Sequence, residues 1–327
     1  MAMARGVWFV GPRRVEIADV DVAPLTPGHV QVHTLCSGIS AGTELLAYRG
    51  DVDPDLPLDD TIGALGGTFR YPFRYGYSCV GVVEASLADL PEGARVFAFH
   101  PHQDRFVTAA ANVIPLGDVE PRVAALFPLV ETALQVSLDA GQVLDERVIV
   151  FGLGAVGLLT AVLLRRAGAR VVAVEPLPWR RAAAGRLGVD AIPPDQVAGA
   201  IPDGGVPLVV EVTGQPSVLS GALGLLAHEG TALVVSWYGR NDVPLPLGGD
   251  FHRRRLTIRS SQVSTIPARL ADRWTVARRR EVVRELLGEL ALDVVATHAV
   301  PFDDAPEAYA ALDRREEGLI HTALWYG

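Results

Sequence analysis

Cysteine is scarce: the chain of 327 residues has two, Cys36 and Cys79. Two cysteines build neither a four-cysteine zinc lobe nor a multi-bridge disulfide scaffold. A pair of reduced, half-buried thiols is the reading that suits a cytoplasmic chain. Basic charge is also short, with 29 Lys and Arg against 38 Asp and Glu and a formal net charge of −9. Binding along a phosphate backbone needs a positive field, so nucleic acid is set aside as a partner. Long apolar runs are missing too. The most apolar long run, Val148 to Leu164, is broken by Gly152, Gly154 and Gly157 and falls short of the ~18 continuous apolar residues of a spanning helix. The opening segment MAMARGVWFVGPRRVEIADV lacks the apolar stretch and small-residue cleavage site of a signal peptide. The expectation is a cytoplasmic protein with no membrane partner.

What is present is ordinary globular material, 49% hydrophobic and 20% charged, enough for a sizeable core. At ~150 residues per domain the length suggests two. Residues 1–120 read as β-rich: alternating stretches at 7–10, 30–35, 80–84 and 95–99 are separated by turn formers such as Pro27-Gly28 and Pro91-Glu92-Gly93. A polar stretch with Pro and Gly, 51–68, reads as a long surface loop. From 121 to 290 short apolar runs alternate with helical ones, the pattern of βαβ units around a parallel sheet. Strands are expected at 147–151, 170–175, 207–212, 231–237 and 256–260, with helices at 158–167 and 217–226. Residues 291–327, with a helix at 305–312, are expected to return to the first domain.

The sharpest motif is Arg147-Val-Ile-Val-Phe-Gly152-Leu-Gly154-Ala-Val-Gly157. With 33 glycines in the chain a lone GxGxxG carries little, but this one follows an apolar strand and opens an apolar helix. It is answered by Glu175, which closes the next strand. Gly152 permits a tight turn, Gly154 lets backbone approach a pyrophosphate, and Gly157 lets helix and strand pack closely. The anion then lies against N–H groups of the helix start, with Leu153, Ala155 and Val156 completing the loop. A carboxylate at Glu175 accepts from ribose hydroxyls and repels a 2′-phosphate, so NAD(H) is favoured. Arg180 and Arg181 are the counter-signal: they could neutralise that phosphate, which keeps NADP(H) as the alternative.

Here the chain resembles the medium-chain dehydrogenases/reductases of the alcohol dehydrogenase superfamily. The likeness rests on Gly42-Thr43-Glu44 with Tyr48-Arg49-Gly50, on Gly76-Tyr77-Ser78 before Val80-Gly-Val-Val-Glu84, and on the glycine loop. Within the superfamily, Ser37-Gly-Ile-Ser-Ala-Gly-Thr-Glu44, Val212-Thr-Gly214, Val235-Ser-Trp-Tyr-Gly239 and Phe251-His-Arg-Arg-Arg255 resemble the bacteriochlorophyllide dehydrogenase branch. The resemblance implies an α/β fold: a Rossmann doubly wound parallel sheet plus a discontinuous, β-rich GroES-like catalytic domain, with the active site in the cleft between them. It also implies a homodimer formed by edge-to-edge pairing of Rossmann sheets.

The departures are as informative. Zinc-dependent members carry their ligands where this chain has Ala41 (beside Ser40), Tyr77 and Pro128. None of these offers the thiolate, imidazole or carboxylate of a tetrahedral zinc site, so no zinc is expected. By the same resemblance Thr43 relays a proton beside the reacting carbon, and Tyr77 points into the former metal site. Glu131 is a further candidate acid, and Thr132 matches a threonine that touches nicotinamide. Thr213, Ser236, Trp237 and Tyr238 follow strands of the parallel sheet, and loops at such carboxyl ends line the cofactor crevice. Ser261 and Gln262 follow the next strand. His100 and His102 have the HxH spacing that a strand places on one face, a weak metal signal. The runs Arg253–Arg255 and Arg278–Arg280 read as solvated faces.

The expected activity is zinc-independent hydride transfer between a nicotinamide dinucleotide and the alcohol/ketone carbon of a small organic substrate. Zinc-free quinone or enoyl reduction is one alternative. A dinucleotide-binding sensor or partner subunit with little turnover is another.

Overall fold

In the computed structural model, which describes residues 3–327, the run Arg147–Phe151 is a strand whose Val148, Ile149 and Val150 are fully buried. A β-branched run covered on both faces is what an interior strand of a parallel sheet requires. The chain divides into two compact units, Met1–Pro128 with Arg284–Gly327, and Leu129–Val283.

The second unit is built on a six-stranded parallel sheet. Its spatial order is Asp190–Ile192, Arg170–Val174, Arg147–Phe151, Val206–Glu211, Leu226–Val234 and Thr257–Ser260. The order reverses beside Arg147–Phe151, and in doubly wound sheets ligands bind at the carboxyl ends of strands beside such a reversal. Helix Ala155–Arg166 buries Leu158, Leu159, Ala161 and Leu164 and ends on Arg165 and Arg166, cations that suit the negative end of a helix. It starts earlier than the apolar pattern indicates, at the residue after Gly154. Helix Pro216–Ala222 stops before the expected 226, where a short 3₁₀ turn, Leu223–Leu225, takes over. Strand Asp190–Ile192 was not expected, being too short to show a period.

The first unit carries a seven-stranded sheet centred on His29–Ile39, which pairs antiparallel with Cys79–Ser86, Arg105–Ala109 and Thr322–Trp325. A second, three-stranded sheet holds Met3–Gly11 between Arg14–Asp21 and Phe73–Arg74. Between the sheets lies an aromatic core in which Phe9 stacks on Phe73 at 5.2 Å and meets Tyr309 edge-on at 5.3 Å. This unit continues through Pro128 rather than ending near residue 120. Ser78 Oγ donates to the carbonyl of Ala125 at 2.7 Å, and Phe127 stacks on Phe97 at 4.6 Å.

Two expectations are corrected here. The 51–68 segment is not a plain surface loop, because Val52, Leu58 and Leu65 are buried in the aromatic core. The two cysteines are fully buried free thiols rather than half-buried ones, and burial pushes both pKa values upward. Among the described residues no helix is long and apolar enough to cross a membrane.

Candidate active site

The glycine loop of the second unit has the shape its spacing implies. Gly152 sits at φ +95°, and a Cβ there would meet the carbonyl of Val212 at 2.9 Å. A Cβ on Gly157 would stand 2.0 Å from the carbonyl oxygen of Gly152, so the helix packs directly on the loop. Gly154 is different: nothing lies within 4 Å of where its Cβ would be. Helix Ala155–Arg166 opens there with no side-chain cap, which leaves first-turn N–H groups to a ligand. Leu153 is buried, while Ala155 and Val156 are half-buried.

Glu175 is 3% exposed and takes the N–H of Leu153 at 2.9 Å on one oxygen and that of Leu177 at 3.0 Å on the other. It is thus tied to the loop it was expected to serve. Arg181 Nη1 donates to the carbonyls of Glu175 and Pro176, both at 2.7 Å. Arg180 lies over the Trp179 ring at 5.0 Å and 3.9 Å from the Glu175 carboxylate.

At the ends of the next two strands Glu211, fully buried, accepts from Thr213 N at 2.6 Å, from the Thr213 hydroxyl, and from Tyr238 Oη at 2.6 Å. Burial, then this hydrogen bond and charge, push the Tyr238 phenol well upward. Ser236 Oγ accepts from Gly214 N at 2.8 Å, and Trp237 is 39% exposed. Thr213, Ser236 and Tyr238 therefore form one cross-linked rim. Glu211, which organises it, was missed, although a carboxylate closing an apolar strand is the signal that singled out Glu175.

Other expected residues are engaged elsewhere. Glu131 is 3% exposed and is held by Arg279 Nε at 3.1 Å and Arg280 Nε at 3.3 Å. A carboxylate clasped by two guanidinium groups is a structural anchor, so the acid role for Glu131 is withdrawn. Arg279 is itself 2% exposed, which corrects the solvated reading of Arg278–Arg280. Ser261 Oγ donates to Asp139 at 2.8 Å, so its hydroxyl hydrogen is spent within this unit. Thr132 is half-buried on helix Phe127–Ala140.

In the first unit a hydroxyl cluster surrounds the start of helix Ala41–Arg49. Tyr77 Oη donates to Ser40 Oγ at 2.5 Å, and the Thr43 side chain lies near enough to the phenol to favour its charged form. Burial, followed by the nearby Glu44 charge, pushes the Tyr77 pKa up to about 12, so the group is a protonated donor at neutral pH. His100 and His102 are not on a strand: they lie in the connection from Arg95–Ala98 to Arg105–Ala109. His100 stacks on Phe106 at 3.9 Å, and burial lowers its pKa to about 4. His102 is fully buried between Ser37 Oγ at 2.8 Å and Glu44 Oε2 at 2.9 Å.

A profile of the zinc-binding dehydrogenase family matches residues 155–303. The (R,R)-butanediol dehydrogenase of Bacillus subtilis (strain 168) is 31% identical over 295 residues, covering 77% of this chain and 81% of that one. The chain belongs to the zinc-binding dehydrogenase family. Among its relatives, the 2-desacetyl-2-hydroxyethyl bacteriochlorophyllide A dehydrogenase of Rhodobacter capsulatus is 26% identical over 318 residues, 91% of each chain. The crystal structure of 2R,3R-butanediol dehydrogenase from Bacillus subtilis superposes with a TM-score of 0.80 over 100% of both chains at 21% identity, which places the fold in the medium-chain alcohol dehydrogenase class.

The family name implies zinc, and the residues at the ligand positions do not fit it. Ala41 has no donor atom, Tyr77 is a phenol engaged with hydroxyls, and Pro128 has no ligating side chain. Among the described residues no three His, Cys, Asp or Glu side chains are grouped to hold a metal ion. A dinucleotide fits better: the open face at Gly154 and the uncapped helix start are a cradle that a Cβ would fill.

Proposed function

We propose that the protein is a nicotinamide-dependent, zinc-independent oxidoreductase acting on the alcohol/ketone carbon of a small organic substrate. The observation that carries this reading is the cluster of Tyr77, Ser40 and Thr43, in which Tyr77 occupies a position that the sequence resemblance assigns to a zinc ligand. A carbonyl being reduced accumulates negative charge on oxygen, which a Lewis acid or a hydrogen-bond donor must stabilise. Tyr77, neutral at pH 7, becomes such a donor when its O–H turns from Ser40 Oγ to the substrate oxygen, and Thr43 passes the proton onward. The loop Gly152–Leu153–Gly154 with the first turn at Ala155 and Val156 holds the pyrophosphate, Glu175 takes the ribose hydroxyls, and the rim of Thr213, Ser236 and Tyr238 borders the nicotinamide end. Nicotinamide supplies or accepts the hydride at C4. The relatives' names, butanediol and bacteriochlorophyllide dehydrogenase, support alcohol/ketone chemistry over alkene reduction.

The direct test is anaerobic incubation with NADH and a set of ketones, quinones and enones, following loss of the reduced nicotinamide band. Oxidation with ketones is expected. Turnover with enones or quinones alone would assign the alternative chemistry, and tight NADH binding without turnover would make the chain a sensor. Elemental analysis is expected to find far less than one zinc per chain; one firmly bound equivalent whose removal abolishes activity refutes the zinc-free reading.

NAD(H) is the proposed cofactor, supported by Arg181 being committed to backbone carbonyls and by the Glu175 carboxylate lying against the glycine loop at Leu153 N. Glu175→Ala is expected to narrow the NADH-over-NADPH preference about tenfold, or ~1.4 kcal/mol. Calorimetry showing no wild-type preference, or none lost in the variant, would contradict it.

A further inference from the structure

Helix Ala41–Arg49 has an unusual start. Its N-cap Ser40 makes no side-chain capping bond, although serine at that position ordinarily spends its hydroxyl on the helix. Glu44 takes over instead: its Oε1 accepts the Ser40 N–H at 2.7 Å. Its Oε2 accepts from Tyr309 Oη and lies 2.9 Å from His102 Nε2. Glu44, His102 and Tyr309 are all fully buried.

With Nε2 as the protonated ring nitrogen, His102 donates to Glu44 Oε2. His102 Nδ1 then accepts from Ser37 Oγ at 2.8 Å, and Ser37 accepts from Tyr326 Oη at 2.7 Å. The result is a buried hydrogen-bonded network that runs from Tyr326 through Ser37 and His102 to Glu44, and from Glu44 to the Ser40 N–H beside the Tyr77 phenol.

We propose that Glu44 is a positioning residue for Tyr77: its carboxylate ties down the Ser40 backbone N–H and so fixes the residue whose Oγ receives the phenol. This rests on the reading of Tyr77 as the donor to substrate. The other titratable groups around the pair are Tyr75, Tyr309, His102, His321 and Asp59. Burial lowers the pKa of His321 to about 4, so it adds no positive charge at neutral pH.

Glu44→Gln separates charge from shape. The amide still accepts the Ser40 N–H, and its NH₂ can donate to Tyr309 and to His102 if the imidazole and Ser37 reverse their hydrogens. A purely structural role therefore survives the change. Glu44→Gln is expected to shift tyrosine ionisation to lower pH, read as phenolate absorbance, and Tyr77→Phe in that background to remove the Tyr77 part of the shift. The kcat for ketone reduction is expected to fall about tenfold with NADH affinity unchanged, and Glu44→Asp to recover most of it. An unchanged phenolate titration in folded Glu44→Gln overturns the proposal. Ser40→Ala tests it even if Glu44→Gln does not fold: kcat should fall severalfold and return in Ser40→Thr, and turnover within twofold of wild type overturns it. The phenolate readout needs no substrate, so it separates failure of this coupling from failure of Tyr77 as donor.

Discussion

Tyr77→Phe is expected to lower kcat by about 10²–10³-fold, or roughly 3–4 kcal/mol of transition-state stabilisation, while NADH affinity stays at the wild-type value. What is removed is one oxygen, and that oxygen makes a 2.5 Å bond to Ser40 Oγ. The ring remains to meet Tyr75 edge-on at 6.2 Å, so the aromatic core keeps its packing and Tm should move little. The glycine loop belongs to the other unit, which is why cofactor binding is expected to be spared. Thr43→Val should act in the same direction and less strongly where water can replace the hydroxyl. The measurement is steady-state reduction of the best ketone, with NADH binding followed separately by calorimetry. If both variants turn over within about threefold of wild type, under 1 kcal/mol of barrier, the donor is not in this cluster. Glu131 is no fallback, because Arg279 and Arg280 already hold its carboxylate.

The parallel sheet was legible because its signal is local: Arg147–Phe151 and Val206–Glu211 are short apolar runs rich in valine, and the glycine spacing marks the turn after the first. The glycine positions, Glu175 and the rim residues Thr213, Ser236 and Tyr238 follow from that register alone. What sequence could not carry is partnership over long separations. Arg279 reads as one of three adjacent arginines until it is seen buried against Glu131 and Gln135. His102 pairs with Glu44 across a separation of 58 residues, and the HxH spacing, which on a strand would set both rings on one face, falls in a connection between strands. The segment 51–68 misled for another reason. Its few apolar residues are too far apart to show a period, yet Val52, Leu58 and Leu65 each find a place in the core.

The two glycines at the helix start should fail in different ways when each gains a methyl group. For Gly157→Ala the added carbon would stand 2.0 Å from the carbonyl oxygen of Gly152 and 2.9 Å from its carbonyl carbon. Both are backbone atoms, so neither can rotate aside, and the helix must move away from the strand. Overpacking of this kind costs about 1–3 kcal/mol, read as a Tm lower by several degrees in a unit of this size. The displaced helix also takes its first-turn N–H groups away from the anion, so NADH affinity is expected to drop about 100-fold, or ~2.7 kcal/mol. For Gly154→Ala no protein atom lies within 4 Å of the new carbon, and the backbone there, φ −68° and ψ −177°, is one that alanine adopts freely. The fold should be untouched and Tm unchanged within a degree or two. The methyl group instead stands in the space open to the pyrophosphate, so the loss is confined to binding, about tenfold in Kd or ~1.4 kcal/mol. Paired melting and calorimetric measurements on the two variants check this division. NADH affinity unchanged in Gly154→Ala would mean that the phosphates do not approach the loop at that residue, and the cradle assigned to Gly152, Gly154 and the helix start would have to be abandoned.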